Sequence, residues 1–316
     1  MTTGSHRTPR DSGRTLVAVL TWKGEAVTRR CLDSLRGTSQ WPNDVVIVDN
    51  ASGTGEGDRL AHDYGVASVT TERNGGVAGG YNAAIARACV EGYEHVLLLN
   101  NDVRILRGDA VRVLSVAMHP GVAAVGPIVE EDSGLWSAGG RLRLALGHAT
   151  HRKEPAGPEP YVADWIDGAA MLVSVDAARA IGGFADDYFL YWEETDWCTR
   201  ARQSGWQILV EPRVRIFHER GATIPGIQTR RYALRNSLLF VRRNARGWRT
   251  VTASFLWLIV RVPVFLLRVG QSHGARAALA GAADAILWHA GDVRRRGFVP
   301  KTDATSPCPH ARAARS

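Results

Sequence analysis

Over the first hundred residues, short apolar runs alternate with longer stretches of helical spacing. Residues 16–22 (LVAVLTW), 45–50 (VVIVDN) and 95–102 (HVLLLNND) are apolar runs of strand length, and the last two close on polar side chains. A weaker run at 66–72 (VASVTTE) reads as another strand. Between them, VTRRCLDSLRG sets Val27, Cys31, Leu32 and Leu35 at helical spacing and stops at Gly37. The segment NGGVAGGYNAAIARACVEG passes from a glycine-rich turn into an alanine-rich helix. Unbroken apolar strands alternating with helices predict a parallel sheet covered on both faces. Ligands of such sheets sit beyond the carboxyl ends of the strands, where Asp49-Asn50 and Asn100-Asn101-Asp102 fall. The first hundred residues are therefore expected to form a nucleotide-binding half.

The pattern loosens afterwards. VAAVGPIV (122–129) reads as a strand, and GHATHRKEPAGPEP (147–160) as a mobile loop. WIDGAAMLVSVDAARAIGGF gives a strand and a short helix, and DYFLYWEETDWCTRARQSGW a carboxylate-bearing segment running into a helix. ILVEPRVRIFHERG reads as a short strand and a turn ending in His218, and IQTRRYALRNSLLFVRRNA as a basic helix. Residues 250–267 are apolar apart from Arg261, with Pro263 nearby. An arginine at mid-membrane costs about 2.5–3.5 kcal/mol on insertion scales, which argues against a span. Flanking Arg242, Arg243, Arg246, Arg249 and Arg268 suit a segment lying in the headgroup layer. The competing arrangement is a buried helix pair with ALAGAADAILWHAG. The expected organisation is a disordered arm (1–14), a main domain (15–245, divided into 15–110 and 111–245), a membrane-surface helical extension (246–297) and a disordered tail (298–316).

Charge sharpens this division. The 316 residues carry a net charge of +8. Residues 1–211 hold 20 Lys/Arg against 27 Asp/Glu, a net of −7, and residues 212–316 hold 19 against 4, a net of +15. A basic tail on an acidic body points to an anionic surface, either membrane or nucleic acid. Its arginines are interleaved with an apolar run rather than a solvated aromatic groove, which favours lipid over nucleic acid. An apolar content of 45% with 22% charged residues excludes wholesale disorder. Four cysteines far apart, with no Cys-x-x-Cys, give neither zinc-ribbon nor disulfide-framework spacing. The first 14 residues hold no apolar stretch, so a cytoplasmic protein is expected.

The candidate chemistry lies at the strand ends. Asp49 closes a buried strand and either shapes a turn or accepts from the base or ribose of a nucleotide. The glycines at 53, 55 and 57 do not make the G-x-G-x-x-G spacing, which disfavours a dinucleotide-binding oxidoreductase. In NGGVAGGYN, from Asn74 and Gly75 to Asn82, four glycines within six positions let backbone approach a ligand just before a helix. Asp102, stranded after an apolar run, is a natural ligand for a hard cation such as Mg²⁺, which takes one or two carboxylates plus phosphate oxygens. Glu193, Glu194 and Asp196 sit among aromatic side chains. Partial burial beside like charges raises a carboxylate's pKa, as suits a general base. His218 after a strand is structural unless a metal is present.

The ordered series LTWKG, VDNAS, NGGVAGGYNAAI, LLLNNDV, WIDGAAML, GGFADDYFLYWEETDWCTRARQSGW, FHERGAT and RYALRNSLLFVRR resembles the family 2 inverting glycosyltransferases of GT-A fold. The likeness runs from about residue 16 to 244, and its nearest branch is the bacterial rhamnosyltransferase-like enzymes of cell-wall and O-antigen assembly. The resemblance implies an α/β fold, a Rossmann-like, mostly parallel central sheet flanked by helices, followed here by the basic and apolar helical extension. It implies that Asp49 holds the nucleobase, that Thr21, Asn74 and Gly75 line the nucleotide with Asn82 and Asn101 nearby, and that Asp167 and Gly168 face donor sugar and acceptor. Asp102 and His218 would hold a divalent cation, Mg²⁺ or Mn²⁺, and Glu194 would be the base, with Glu193 and Asp196 as candidates to share that role. Three positions depart from the family pattern: Glu194 stands where the usual base is Asp, Asn100-Asn101 where some members have carboxylates, and Ala185 where many have Asp. The implied partners are a nucleoside-diphosphate sugar, a glycan or lipid-linked acceptor and an anionic membrane surface on the inner face of the cell membrane. The rhamnose donor, dTDP-rhamnose, rests on likeness alone. A small-molecule aglycone as acceptor, and a silent nucleotide-sugar-binding scaffold of the same fold, are the alternatives.

Overall fold

The computed structural model describes residues 13–144, 147–219 and 226–244, together with positions 252 and 255. The expected arm, membrane-surface extension and tail lie almost wholly outside the described residues. Among those described, no helix is long and apolar enough to cross a membrane.

Four strands form the predicted parallel run. They are β1 (Thr15–Thr21), β2 (Val45–Asp49), β3 (Ala67–Thr70) and β4 (His95–Asn100), in the order β3-β2-β1-β4. The apolar runs are continuous because both faces are covered, with alternate residues going to opposite sides. Leu16, Ala18 and Leu20 pack against α3 (Gly76–Val90), α5 (Val175–Ile181) and α6 (Glu193–Gln203). Val17 and Val19 pack against α1 (Glu25–Leu35), α2 (Glu56–Tyr64) and α4 (Ala110–Val116). On α1 the core stripe takes Thr28, Cys31, Leu32 and Leu35, with Val27 only half-buried. Thr28 earns its buried place through its hydroxyl, which joins the polar end of β1.

Beyond β4 the sheet becomes mixed. β11 (Ala170–Ser174) runs antiparallel to both β4 and β6 (Val122–Glu131), and β12 (Gln207–His218) is parallel to β6. β10 (Tyr161–Val162) takes the edge, while β5 (Val103–Ile105) pairs with the end of β12 and β7 (Gly134–Ser137) with the end of β6. A separate hairpin is made of β8 (Gly140–Arg143) and β9 (His148–His151). After α6 and β12, the described chain closes on α7 (Gly226–Asn244).

Two sequence expectations are corrected. The segment ILVEPRVRIFH belongs to one 12-residue strand, Gln207–His218, rather than a short strand and a turn. A register shift between Glu211 and Arg215 absorbs the proline, and buried Glu211 accepts from the backbone N–H and guanidinium of Arg213 across it. The supposed loop 147–160 begins as β9, whose His151 Nδ1 lies 2.9 Å from Ser137 Oγ, with Arg152 N–H donating to Gly139 O at 2.8 Å.

Candidate functional site

A cavity of about 580 Å³ opens at the carboxyl ends of β1 and β4, between the start of α3, the turn before α6 and the end of β12. Three groups of side chains build its walls.

The first group ties strand ends to helix starts. The Thr21 hydroxyl donates to Glu56 Oε1 at 2.9 Å and lies 2.8 Å from Thr28 Oγ1, to which Asn101 Nδ2 donates at 3.0 Å. Thr21 and Asn101 thus reach the cavity as one buried network with Glu56, which the sequence reading did not single out. Asn50 Nδ2 donates to Asn74 Oδ1 at 3.0 Å and to Gly76 O at 2.9 Å, and Asn50 Oδ1 accepts from Gly75 N at 3.2 Å. Asn50, Asn74 and Gly76 line the cavity, with Gly75 behind them. Asp49 is set differently: its carboxylate accepts from Ser52 N and Ser52 Oγ, both at 2.8 Å, and from Gly57 N at 3.3 Å. The structure therefore brings Asn50 rather than Asp49 to the cavity, because the 50–57 loop folds onto the carboxylate. Asn82 also points elsewhere, bonding both N–H and O of the Phe184 backbone at 2.8 and 2.9 Å and so pinning α3 to the segment before α6.

The second group could hold a cation. Asp102 follows β4, and pairing of β5 with β12 sets Val103 opposite His218. Asp102 Oδ1 then lies 3.1 Å from His218 Nε2. That carboxylate oxygen is buried yet accepts no hydrogen bond of good geometry. A carboxylate oxygen and an imidazole nitrogen converging at this distance are the kind of donor pair that could hold a divalent cation, which would take its remaining ligands from phosphate and water. Among the described residues there is no cluster of three or more His, Cys, Asp or Glu that could hold one by itself.

The third group carries carboxylates. Asp167 Oδ2 accepts from Trp136 Nε1 at 3.0 Å and Oδ1 from Ala169 N at 2.9 Å, while Gly168 O accepts from Tyr81 at 2.7 Å. Gly168 packs on Glu194, whose β-carbon would lie 3.4 Å from any side chain added there. Burial, then repulsion from Asp167, pushes the Glu194 carboxyl up to about 7. Burial and the neighbouring Glu194 push Glu193 well above the usual carboxylate range. Glu193 Oε2 and Glu194 Oε2 are both buried without a hydrogen-bond partner. Asp196 does not join them. It is fully buried, accepting from Tyr188 at 3.0 Å, Asn244 at 2.7 Å and Arg200 at 2.8 Å, and it holds α6 in place instead of facing the cavity. Trp136 and His151, whose rings lie 4.5 Å apart, complete the wall and went unnoticed because their strands were unpredicted.

A half-parallel, half-mixed sheet with a polar cavity at its strand ends is the GT-A architecture. Solved structures agree on the fold. The mannosyltransferase PcManGT from Pyrobaculum calidifontis in complex with GDP-Man and Mn²⁺ superposes with a TM-score of 0.54 at 17% identity, over 90% of this chain and 82% of that one. S. aureus TarS 1–349 in complex with UDP gives 0.52 at 15%, over 86% and 81%. The model of glycosyl transferase family 2 matches residues 16–173, and the chain belongs to that family: it is a glycosyltransferase. Among its relatives is the dTDP-rhamnosyl transferase RfbF of Shigella flexneri, 26% identical over 63% of this chain and 71% of that protein. Another is the N-acetylglucosaminyl-diphospho-decaprenol L-rhamnosyltransferase of Mycobacterium tuberculosis, 23% identical over 73% of this chain and 85% of that one.

Proposed function

We propose that the protein transfers a sugar, with inversion, from a nucleoside diphosphate to a hydroxyl of a glycan or lipid-linked acceptor, using Glu194 as general base. The observation that carries this reading is a cavity-facing carboxylate with one unpartnered buried oxygen and an ordinary pKa pushed up to about 7. The nucleotide lies along Thr21, Asn74, Gly75 and Asn101, and the donor sugar faces Asp167 and Gly168. Asp102 and His218 would hold Mg²⁺ or Mn²⁺, which would supply stabilisation of negative charge on the diphosphate. The acceptor oxygen bonds to the anomeric carbon as its proton passes to Glu194. The bond from that carbon to the diphosphate oxygen breaks on the opposite face, so the configuration inverts with no covalent enzyme intermediate.

The names of the Shigella and mycobacterial relatives favour dTDP-rhamnose as donor, and the second favours a lipid-linked acceptor. The net charge of +15 over residues 212–316 supports a cytoplasmic enzyme peripheral on anionic lipid. Salt-sensitive retention on anionic liposomes but not on oligonucleotides is the result expected. The base is tested by Glu194→Gln. Transfer from dTDP-rhamnose should fall by about 10²–10⁴-fold, with stabilisation by dTDP unchanged. Unimpaired transfer, or a product retaining the donor's anomeric configuration, overturns the reading.

A further inference from the structure

The motif RYALRN lies in α7, and no step above uses it. Asn236 is fully buried, and its Nδ2 lies 2.8 Å from Tyr188 O, 2.8 Å from Leu190 O and 2.9 Å from Tyr191 O. Three carbonyls around one nitrogen fix the amide's orientation, because only the NH₂ end can face them. Asn236 Oδ1 accepts from Arg235 Nε at 2.8 Å, and the same guanidinium donates to Asp187 O and, at 3.2 Å, to Tyr188 O. Two adjacent side chains of one helix therefore hold four carbonyls of one turn.

The turn's own bond, from Leu190 N–H to Tyr188 O at 2.7 Å, holds a strained backbone. Phe189, Tyr191 and Trp192 have φ of 63°, 68° and 77°, the left-handed region that side-chain-bearing residues avoid. Deprived of the amide, Leu190 O and Tyr191 O would each lose a donor, while Tyr188 O would keep the Leu190 N–H at 2.7 Å and the Arg235 guanidinium. The turn runs directly into Glu193 and Glu194, and its Phe189, Leu190 and Tyr191 line the cavity. It docks on α3 through Val77 N–H, which donates to Phe189 O at 2.8 Å. Tyr232, one helical turn before Asn236, stacks on Phe189 with centroids 5.3 Å apart and also lines the cavity. At the far end of α7, Asn244 Nδ2 donates to Asp196 Oδ1 at 2.7 Å. Helix α7 thus grips the chain on both sides of Glu194.

We propose that Asn236 is a positioning residue of the transfer reaction: with Arg235 it holds the 188–192 turn in the left-handed conformation that presents Glu194 to the acceptor hydroxyl. This rests on Glu194 as base, while the conformational half of the proposal stands apart from it.

The test compares Asn236→Asp and Asn236→Ala with Leu238→Ala, a buried apolar truncation on the same helix with no bond to the turn. Backbone hydrogen exchange and release of dTDP from dTDP-rhamnose are measured on the full chain. In both Asn236 variants, Val77 and Leu190 amides should exchange at least tenfold faster, while β1 and β4 amides keep their protection. Turnover should fall at least about fiftyfold, with dTDP binding within threefold of wild type. Leu238→Ala should leave Val77 exchange and turnover within threefold. The proposal is overturned if the turn's amides keep their protection, if turnover survives, or if Leu238→Ala reproduces both effects. It is equally overturned if β1 and β4 lose protection together with the turn, since Asn236 would then serve global folding. Glu194→Gln separates the two readings: retained turnover there removes the base and leaves the exchange result standing.

Discussion

Three acids occupy four positions at the start of α6, and they divide by helix geometry. At about 100° per residue, Glu194 and Asp196 stand some 200° apart, so a helix that turns one into the cavity turns the other away. The sequence reading nevertheless kept Asp196 as a candidate to share the base role, and it had no means to place Asp167 beside Glu194, because Asp167 arrives from a distant strand end. Glu194 faces Asp167, Glu193 on its own helix, and Tyr81 and Cys198 nearby. The base works when ionised, so transfer should rise with pH through about 7 and level off above it. Asp167→Asn removes one negative neighbour and should move that rise to lower pH, read from the profile of kcat/KM. Stability follows the opposite sign. A carboxyl whose folded pKa is raised favours the folded state below its unfolded value of 4.5, and that contribution is lost as pH rises toward 7. Glu194→Gln should therefore be more stable than wild type at pH 8, by up to about 3 kcal/mol, with the gain vanishing near pH 4.5. Denaturant midpoints of both proteins at the two pH values decide it.

Among the elements, the strands of the first half were readable because each is apolar on both faces and ends abruptly in polar residues. The glycine-rich turn was readable as a close approach, but not what it approaches. Gly76 has φ +69°, and a β-carbon there would stand 1.9 Å from Phe189 O. Gly79, within the same run, is helical and has nothing within 4 Å. Gly76→Ala should consequently cost more than about 2 kcal/mol and displace the turn before Glu194, lowering transfer. Gly79→Ala should be neutral or stabilising by up to about 1 kcal/mol with transfer intact. Equal costs in thermal unfolding would mean that the turn does not dock as described. Among the elements missed in the sequence, β9 and the full length of β12 went unread for different reasons. β12 interrupts its apolar alternation with charged residues and pairs with the remote β6, whose hydrogen bonds leave no local signature, whereas β9 (HATH) is half of a local hairpin with β8 but has almost no apolar residues to mark it.

For the molecule as a whole, the cavity is assembled by both halves, with Thr21, Asn74 and Asn101 from the first and Asp167, Glu194 and His218 from the second. A ligand spanning it should stabilise the whole folded chain. At 100 times its Kd, a nucleotide that binds only the native state adds about 2.7 kcal/mol, and a domain of this size gains about 2–4 °C per kcal/mol. Thermal unfolding with UDP, dTDP and GDP, each with and without Mn²⁺, should show a shift with dTDP that grows when Mn²⁺ is present. Asp102→Asn should remove the growth and leave the nucleotide's own shift, because Thr21 and Asn74 are untouched by the change. If the Asp102→Asn protein keeps the full Mn²⁺ effect, the cation lies elsewhere and the Asp102–His218 pair is only an ion pair. No shift with any of the three nucleotides, in protein that melts cooperatively, would leave the cavity without its proposed occupant and overturn the reading of a nucleoside-diphosphate donor.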